Sequence, residues 1–148
     1  MSNPCAEIEV LLLAAGFGKR LRPLTDTTPK PLISIGPETL LDRHIKQLEL
    51  AGFRKVYVNM HHLAPQISAH LKQMQSSLEI VPVYEPVLLE TGGAIKNIAY
   101  KVKSEHLLTV NSDVVIDQFD YEKFVSMHCS DQDNPFATLV LRKDQNAD

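Results

Sequence analysis

The chain alternates short, nearly continuous apolar runs with stretches whose apolar residues recur every three or four positions. Residues 8–15 (IEVLLLAA) are apolar almost throughout, which predicts a strand covered on both faces in a parallel sheet. Residues 40–51 carry Leu41, Ile45 and Leu48 on one helical face, and Gly52 follows as a stop signal. Residues 55–60 (KVYVNM) predict a second strand. Residues 64–75 place Ile67, Leu71 and Met74 on one face, with Pro65 suited to a first helical turn. Residues 78–84 (LEIVPVY) predict a third strand, and Pro82 within it requires a sheet edge, because proline cannot donate to a ladder. Residues 91–102 align Ala94, Ile95, Ile98 and Val102 on a helix that starts at Thr-Gly-Gly. A fourth strand, 106–111 (HLLTVN), leads to Asp113, and a helix over 119–129 and a fifth strand over 136–141 complete the pattern.

Strand and helix alternating in this way predict one α/β domain over residues 1–148, a three-layer α/β/α, Rossmann-like, mostly parallel sheet. Ligands in such sheets bind beyond the C-terminal strand ends, where the strand order reverses. The loops after the first, third and fourth predicted strands are therefore the candidate site. A content of 44% hydrophobic and 22% charged residues suits a folded domain of this size. The net charge of -3 gives the chain no general attraction for nucleic acid. Two widely separated cysteines do not make a disulfide framework and read as reduced thiols. Cys5 is expected in a mobile N-terminal segment, and Cys129 on a helix with no basic partner to activate it. The opening apolar run is too short for a leader or a membrane span, so the expected compartment is the cytoplasm, with no membrane partner.

The cations concentrate instead in one place, the stretch LLLAAGFGKRLRPLTDTTPKPL at residues 11–32. A dinucleotide-binding turn would need a third glycine and an immediate helix, but Pro23, Pro29 and Pro31 forbid a helix over that interval. A phosphate-binding loop of the Gly-Lys-Ser/Thr kind fails too, because Arg20 follows Gly18-Lys19. The chemistry still favours an anion. Glycines let backbone N–H groups approach phosphate oxygens, Arg20 can form two parallel hydrogen bonds, and Lys30 between two prolines is a point charge of little freedom. The alternative is a solvated basic loop. Adjacent His61 and His62 point to opposite faces of a strand, so they do not chelate one ion and are read as structural.

The stretch LAAGFGKRLRPLTDTTPKPLISI resembles the signature of sugar-1-phosphate nucleotidyltransferases, Gly-x-Gly-x-Arg-Leu-x-Pro-Leu-Thr with a downstream Pro-Lys-Pro-Leu. The likeness continues through AGFRKVYVNMHHLAPQISAHL, EPVLLETGGAI and LLTVNSD, and its phrasing is nearest to N-acetylmuramate-1-phosphate uridylyltransferases and mannose-1-phosphate guanylyltransferase-like enzymes. The resemblance implies attack of a sugar 1-phosphate on the α-phosphorus of a nucleoside triphosphate, with Mg²⁺ as cofactor. It implies that Ala14, Ala15, Gly16 and Gly18 line the nucleotide and that Arg20 clamps the leaving phosphates. Lys30 would span the α-phosphate and the incoming sugar phosphate. Glu85, Thr91, Gly92 and Gly93 match the base-binding loop, although Thr91 and Glu90 also suit a helix cap and its positive end. A carboxylate at Glu85 accepts hydrogen bonds from guanine or uracil, so the base stays open among G, U and T.

Asp113 matches the metal ligand, and one carboxylate beside phosphates suits Mg²⁺. Here Asn111-Ser112-Asp113 replaces the family's Asn-Gly-Asp, so Ser112 is expected to restrict the backbone and crowd the sugar. Asp117 is read as a helix cap. Family members are longer, and the resemblance puts the sugar pocket and a second metal-binding aspartate beyond residue 148. The expected partners are a nucleoside triphosphate and a sugar 1-phosphate, with homo-oligomerisation open. The rival class is a non-catalytic module that binds nucleotide or nucleotide sugar in the same pocket.

Overall fold

A computed structural model describes residues 3–116, 118–133 and 135–141. Four strands, β1 (Glu9–Leu13), β4 (Lys55–Met60), β5 (Glu79–Tyr84) and β6 (Leu107–Asn111), form one sheet in the order β5-β4-β1-β6. Every pairing in it is parallel, so each crossover must climb back over a face of the sheet. Between β1 and β4 lie α1 (Leu24–Thr27), the hairpin β2 (Ser34–Ile35) and β3 (Glu38–Thr39), and α2 (Leu40–Leu50). The remaining crossovers are α3 (Ala64–Gln73) and α4 (Glu90–Ile98), and α5 (Tyr121–Ser130) follows β6.

The period-two geometry of the strands divides the core into two halves. Val10, Leu12, Val56 and Val58 face one side, with Leu41, Ile45 and Leu48 of α2, Ile67 and Leu71 of α3, and Val125 of α5. Leu11, Tyr57 and Val83 face the other side, under Ala94 and Ile98 of α4. This is the expected three-layer α/β/α arrangement, with β1 and β4 buried on both faces. The edge position inferred from Pro82 also holds, since β5 ends the sheet.

The chain runs outward from β1 through β4 to β5, then returns to β6 on the opposite side of β1. The reversal puts a crevice at the C-terminal ends of β1 and β6, where a ligand can enter between diverging loops.

Three expectations are corrected. Residues 136–141 form no strand among the described residues: Phe136, Leu139 and Leu141 stand exposed, and a β-rich pattern becomes a strand only with a ladder to join. The proline-rich interval after β1 is not free of helix. Leu24–Thr27 makes a single α turn fitted between Pro23 and Pro29, and single 3₁₀ turns flank it at Lys19–Leu21 and Lys30–Leu32. Cys5 is not in a mobile segment. It sits in a 3₁₀ turn, Pro4–Glu7, that Asn3 caps, and its side chain is wholly buried in the core. Asp117 lies outside the described residues.

Candidate functional site

A cavity of about 330 Å³ opens at the crevice. Its floor is the strand ends, with Leu13 of β1 and the following Ala14, Asn59 of β4, and Asn111 of β6 with the following Ser112 and Asp113. The cationic loop supplies one wall through Gly16, Gly18, Arg20 and Lys30, and the entry to α4 supplies the other through Leu88, Glu90 and Thr91.

The loop owes its shape to Gly18. Its φ of +64 lies in the left-handed region, and a Cβ there would come within 2.7 Å of Thr25 Cγ2 and 3.3 Å of Lys30 Cβ. Thr25, itself buried, donates its hydroxyl to the Gly18 carbonyl at 2.9 Å. The loop therefore closes upon itself and carries Lys30 under Gly18. Among the described residues, the N–H groups of Gly16, Phe17 and Gly18 have no acceptor, so they remain available to an anion. Phe17 packs between His61 and His62, with ring centroids 5.4 and 5.3 Å away. The two histidines donate ring N–H groups in different directions, His61 to the Glu85 carbonyl and His62 to the Thr25 carbonyl, each at 2.8 Å. Their structural reading is thus supported.

Lys30 reaches across the cavity to Asp113, with Nζ and Oδ2 2.5 Å apart. The cation expected on phosphate and the carboxylate expected on metal are therefore neighbours, each neutralising the other. Asp113 remains partly open to the cavity, which suits an ion that takes one or two protein carboxylates and fills its sphere with phosphate and water oxygens. Among the described residues, no group of three or more His, Cys, Asp or Glu side chains could hold a metal by themselves. The donor set fits Mg²⁺ carried in with a polyphosphate and not a closed protein cage.

Ser112 sits where a side chain is accommodated without backbone strain. Among the described residues, the left-handed non-glycine positions are Leu63, Glu90 and Gln118, so Ser112 keeps an ordinary conformation. It is buried, and its N–H donates to the Leu13 carbonyl at 3.2 Å, which ties the end of β6 to β1.

The base loop departs further from expectation. Glu85 is fully buried below the cavity instead of lining it, and its carboxylate accepts from Asn59 Nδ2 at 2.9 Å and from the Leu89 N–H at 3.2 Å. Thr91 is not a cap, because α4 begins at Glu90 with Leu89 in the N-cap position and no side-chain cap. Thr91 does line the cavity, whereas Gly92 and Gly93 do not. Gly93 has a packing reason to be small, since a Cβ would meet Leu89 Cβ at 2.9 Å. Lys19 also lines the cavity, beside the Phe17 ring, while Arg22 turns away to pair with Asp26 at 3.1 Å. Asn59 escapes sequence reasoning; the available signal is a polar residue inside the otherwise apolar run of a doubly covered strand.

A parallel α/β sheet with a cationic glycine loop and an acid at its reversal point defines a nucleotide-handling class of fold. The chain belongs to the Nucleotidyl transferase family, which it matches over residues 9–148. It is 37% identical over 113 residues to the N-acetylmuramate alpha-1-phosphate uridylyltransferase of Neisseria meningitidis, covering 74% of this chain and 48% of that one. It is 35% identical over 124 residues to the mannose-1-phosphate guanylyltransferase catalytic subunit beta of Drosophila melanogaster, covering 81% of this chain and 33% of that one. The crystal structure of HddC from Yersinia pseudotuberculosis complexed with GMP-PN superposes with a TM-score of 0.73 at 28% identity, covering 82% of this chain and 54% of that one. The chain thus spans between a third and a half of the length of these curated relatives.

Proposed function

We propose that the chain supplies the nucleotide side of a sugar-1-phosphate nucleotidyltransferase. A phosphate oxygen of the sugar 1-phosphate attacks the α-phosphorus of a nucleoside triphosphate. The new P–O bond forms as the bond to the β-phosphate breaks, and pyrophosphate leaves. The observation that carries this reading is the meeting of Arg20, Lys30 and Asp113 with the unengaged N–H groups of Gly16 and Gly18 around one cavity. Such a reaction needs little covalent work from the protein and mostly positioning and neutralisation of charge.

Each group has a role that its place allows. Gly16 and Gly18 bring backbone N–H groups against the polyphosphate, and Arg20 holds the departing pyrophosphate. Lys30, fixed by Pro29 and packed under Gly18, neutralises the α-phosphate and the approaching sugar phosphate. Asp113 would hold Mg²⁺, which would supply positive charge to offset that of the phosphates. Entry of the phosphates would give Lys30 a new anionic partner in place of the Asp113 carboxylate. Ala14, Ala15 and Thr91 border the nucleoside end. The relatives that use uridylyl and guanylyl groups leave the base of this chain to experiment.

The test is thermal stabilisation by GTP, UTP, dTTP, CTP and ATP, each with magnesium. At least one should raise the unfolding temperature, and Lys30→Ala should abolish the rise. A rise that survives Lys30→Ala unchanged would remove the lysine from this role.

A further inference from the structure

The floor of the cavity contains a buried polar chain that links its two walls. The Ala14 N–H donates to Asn59 Oδ1 at 2.7 Å, Asn59 Nδ2 donates to Glu85 Oε1 at 2.9 Å, and the Leu89 N–H donates to Glu85 Oε2 at 3.2 Å. Ala14 opens the cationic loop, and Leu89 is the N-cap from which α4 starts. Asn59 and Glu85 are 3% and 0% exposed, so neither can trade these bonds for water. In so dry a place a hydrogen-bonded network rigidifies what it joins, and losing one member leaves another unsatisfied.

The pattern of donors is directional. Two backbone N–H groups, one from each wall, point inward and need acceptors. Asn59 is the residue that accepts from one wall while donating toward the other, and the Glu85 carboxylate accepts from both Asn59 and Leu89. A second tether runs alongside, since the Glu85 N–H donates to the Met60 carbonyl at 2.8 Å and the His61 ring holds the Glu85 carbonyl. Glu85 is thereby fixed at both its backbone and its side chain.

We propose that Asn59 and Glu85 are positioning residues that fix the distance between the cationic loop and the start of α4, and so set where a nucleoside triphosphate can lie. This rests on the nucleotide reading given above. It also places Glu85 beneath the base as a strut, in place of a direct base contact. The Ala14 N–H, taken by Asn59, is accordingly not a ligand donor.

The network can be reversed without loss. Asn59→Asp alone puts two carboxylates face to face, and Glu85→Gln alone turns a donor toward either Asn59 Nδ2 or the Leu89 N–H. Made together, the two changes restore every bond. The new carboxylate at position 59 accepts from the Ala14 N–H and from the new amide at position 85, whose oxygen accepts from the Leu89 N–H. The experiment measures the affinity of the magnesium complex of whichever of the five triphosphates stabilises the protein most, with amide hydrogen exchange at Ala14 and Leu89. Each single change should weaken binding about tenfold and unprotect those two amides while Val10 and Val58 stay protected, and the double change should recover both to within about threefold. Single variants that bind like the parent, or a folded double variant that remains weak, would overturn the proposal. If no triphosphate binds the parent protein although Ala14 and Leu89 are protected in it, the nucleotide reading fails and the positioning role falls with it.

Discussion

Gly18 and Lys30 show how much of the site depends on single residues. Gly18 satisfies two demands together, a left-handed backbone and the absence of a Cβ between Thr25 and Lys30. Gly18→Ala should cost about 1–2 kcal/mol for the backbone alone, with the crowding of Thr25 in addition. Chemical denaturation would measure it, and an unchanged midpoint would refute this account of the loop. Lys30 and Asp113 hold each other across the cavity, so neither is a free surface charge. The two cysteines are free and differ in access. Burial, with Glu122 and Asp120 nearby, pushes the Cys5 thiol up to about 11, so it stays protonated and shielded at neutral pH. Alkylation of the native protein at pH 8 should therefore label the exposed Cys129 first, with Cys5 reacting only after unfolding. Mass mapping that finds Cys5 labelled as fast as Cys129 would contradict this.

Among the elements, α2 has the most explicit start signal. Thr39 caps it through the Asp42 N–H at 3.1 Å, and Asp42 returns a bond to the Thr39 N–H at 3.1 Å. His70 of α3 meets the same carboxylate at 2.6 Å, so the cap also joins two helices. Thr39→Ala should cost about 1 kcal/mol in unfolding free energy, and a smaller loss than a few tenths would mean the box is incidental. Periodicity makes the helices and the four parallel strands legible because each has one or two apolar faces to bury. The hairpin β2–β3 is too short to show a period, although its turn at Gly36 (φ +67) followed by Pro37 is a usable signal. The strand expected at 136–141 has the right residues but joins no ladder among the described residues. The cationic loop and Asp113 stand out because their charges interrupt apolar sequence. Glu85 is misplaced by sequence reasoning because position along the chain does not reveal whether a carboxylate faces the pocket or the floor beneath it. Asn59 stands out as a polar residue in an apolar strand, but its role is hidden because its partners, Ala14 and Glu85, are distant in the chain.

At the scale of the molecule, the reversal of strand order about β1 gathers these residues at one end of the sheet. Among the described residues, no helix is long and apolar enough to cross a membrane. Buried and hydrogen-bonded titratable groups give the fold a definite response to acid. Burial holds the His44 imidazole below its ordinary 6.5, so the unfolded chain takes up that proton first and stability falls as the pH drops through that value. Burial opposes ionisation of Asp42, yet bonds from Thr39 and His70 outweigh it and hold the carboxyl below its ordinary 3.8. Glu9, likewise opposed by burial, is held below 4.5 by the Lys103 and Ser104 N–H groups and by Lys55. The stability these two carboxylates contribute is complete above their unfolded values and is lost as the pH falls through the lower folded ones. Unfolding temperature should thus decline in two stages on acidification, and a rise between pH 5 and pH 3 would contradict these assignments. Whether one cavity holds the triphosphate against a metal on Asp113 can be seen in crystals grown with Mn²⁺ and the stabilising nucleotide. An anomalous peak is expected at the Asp113 carboxylate, with the phosphates between it, Arg20 and the Lys30 amine. A metal and phosphate tail bound elsewhere, with Lys30 still paired to Asp113, would contradict that placement.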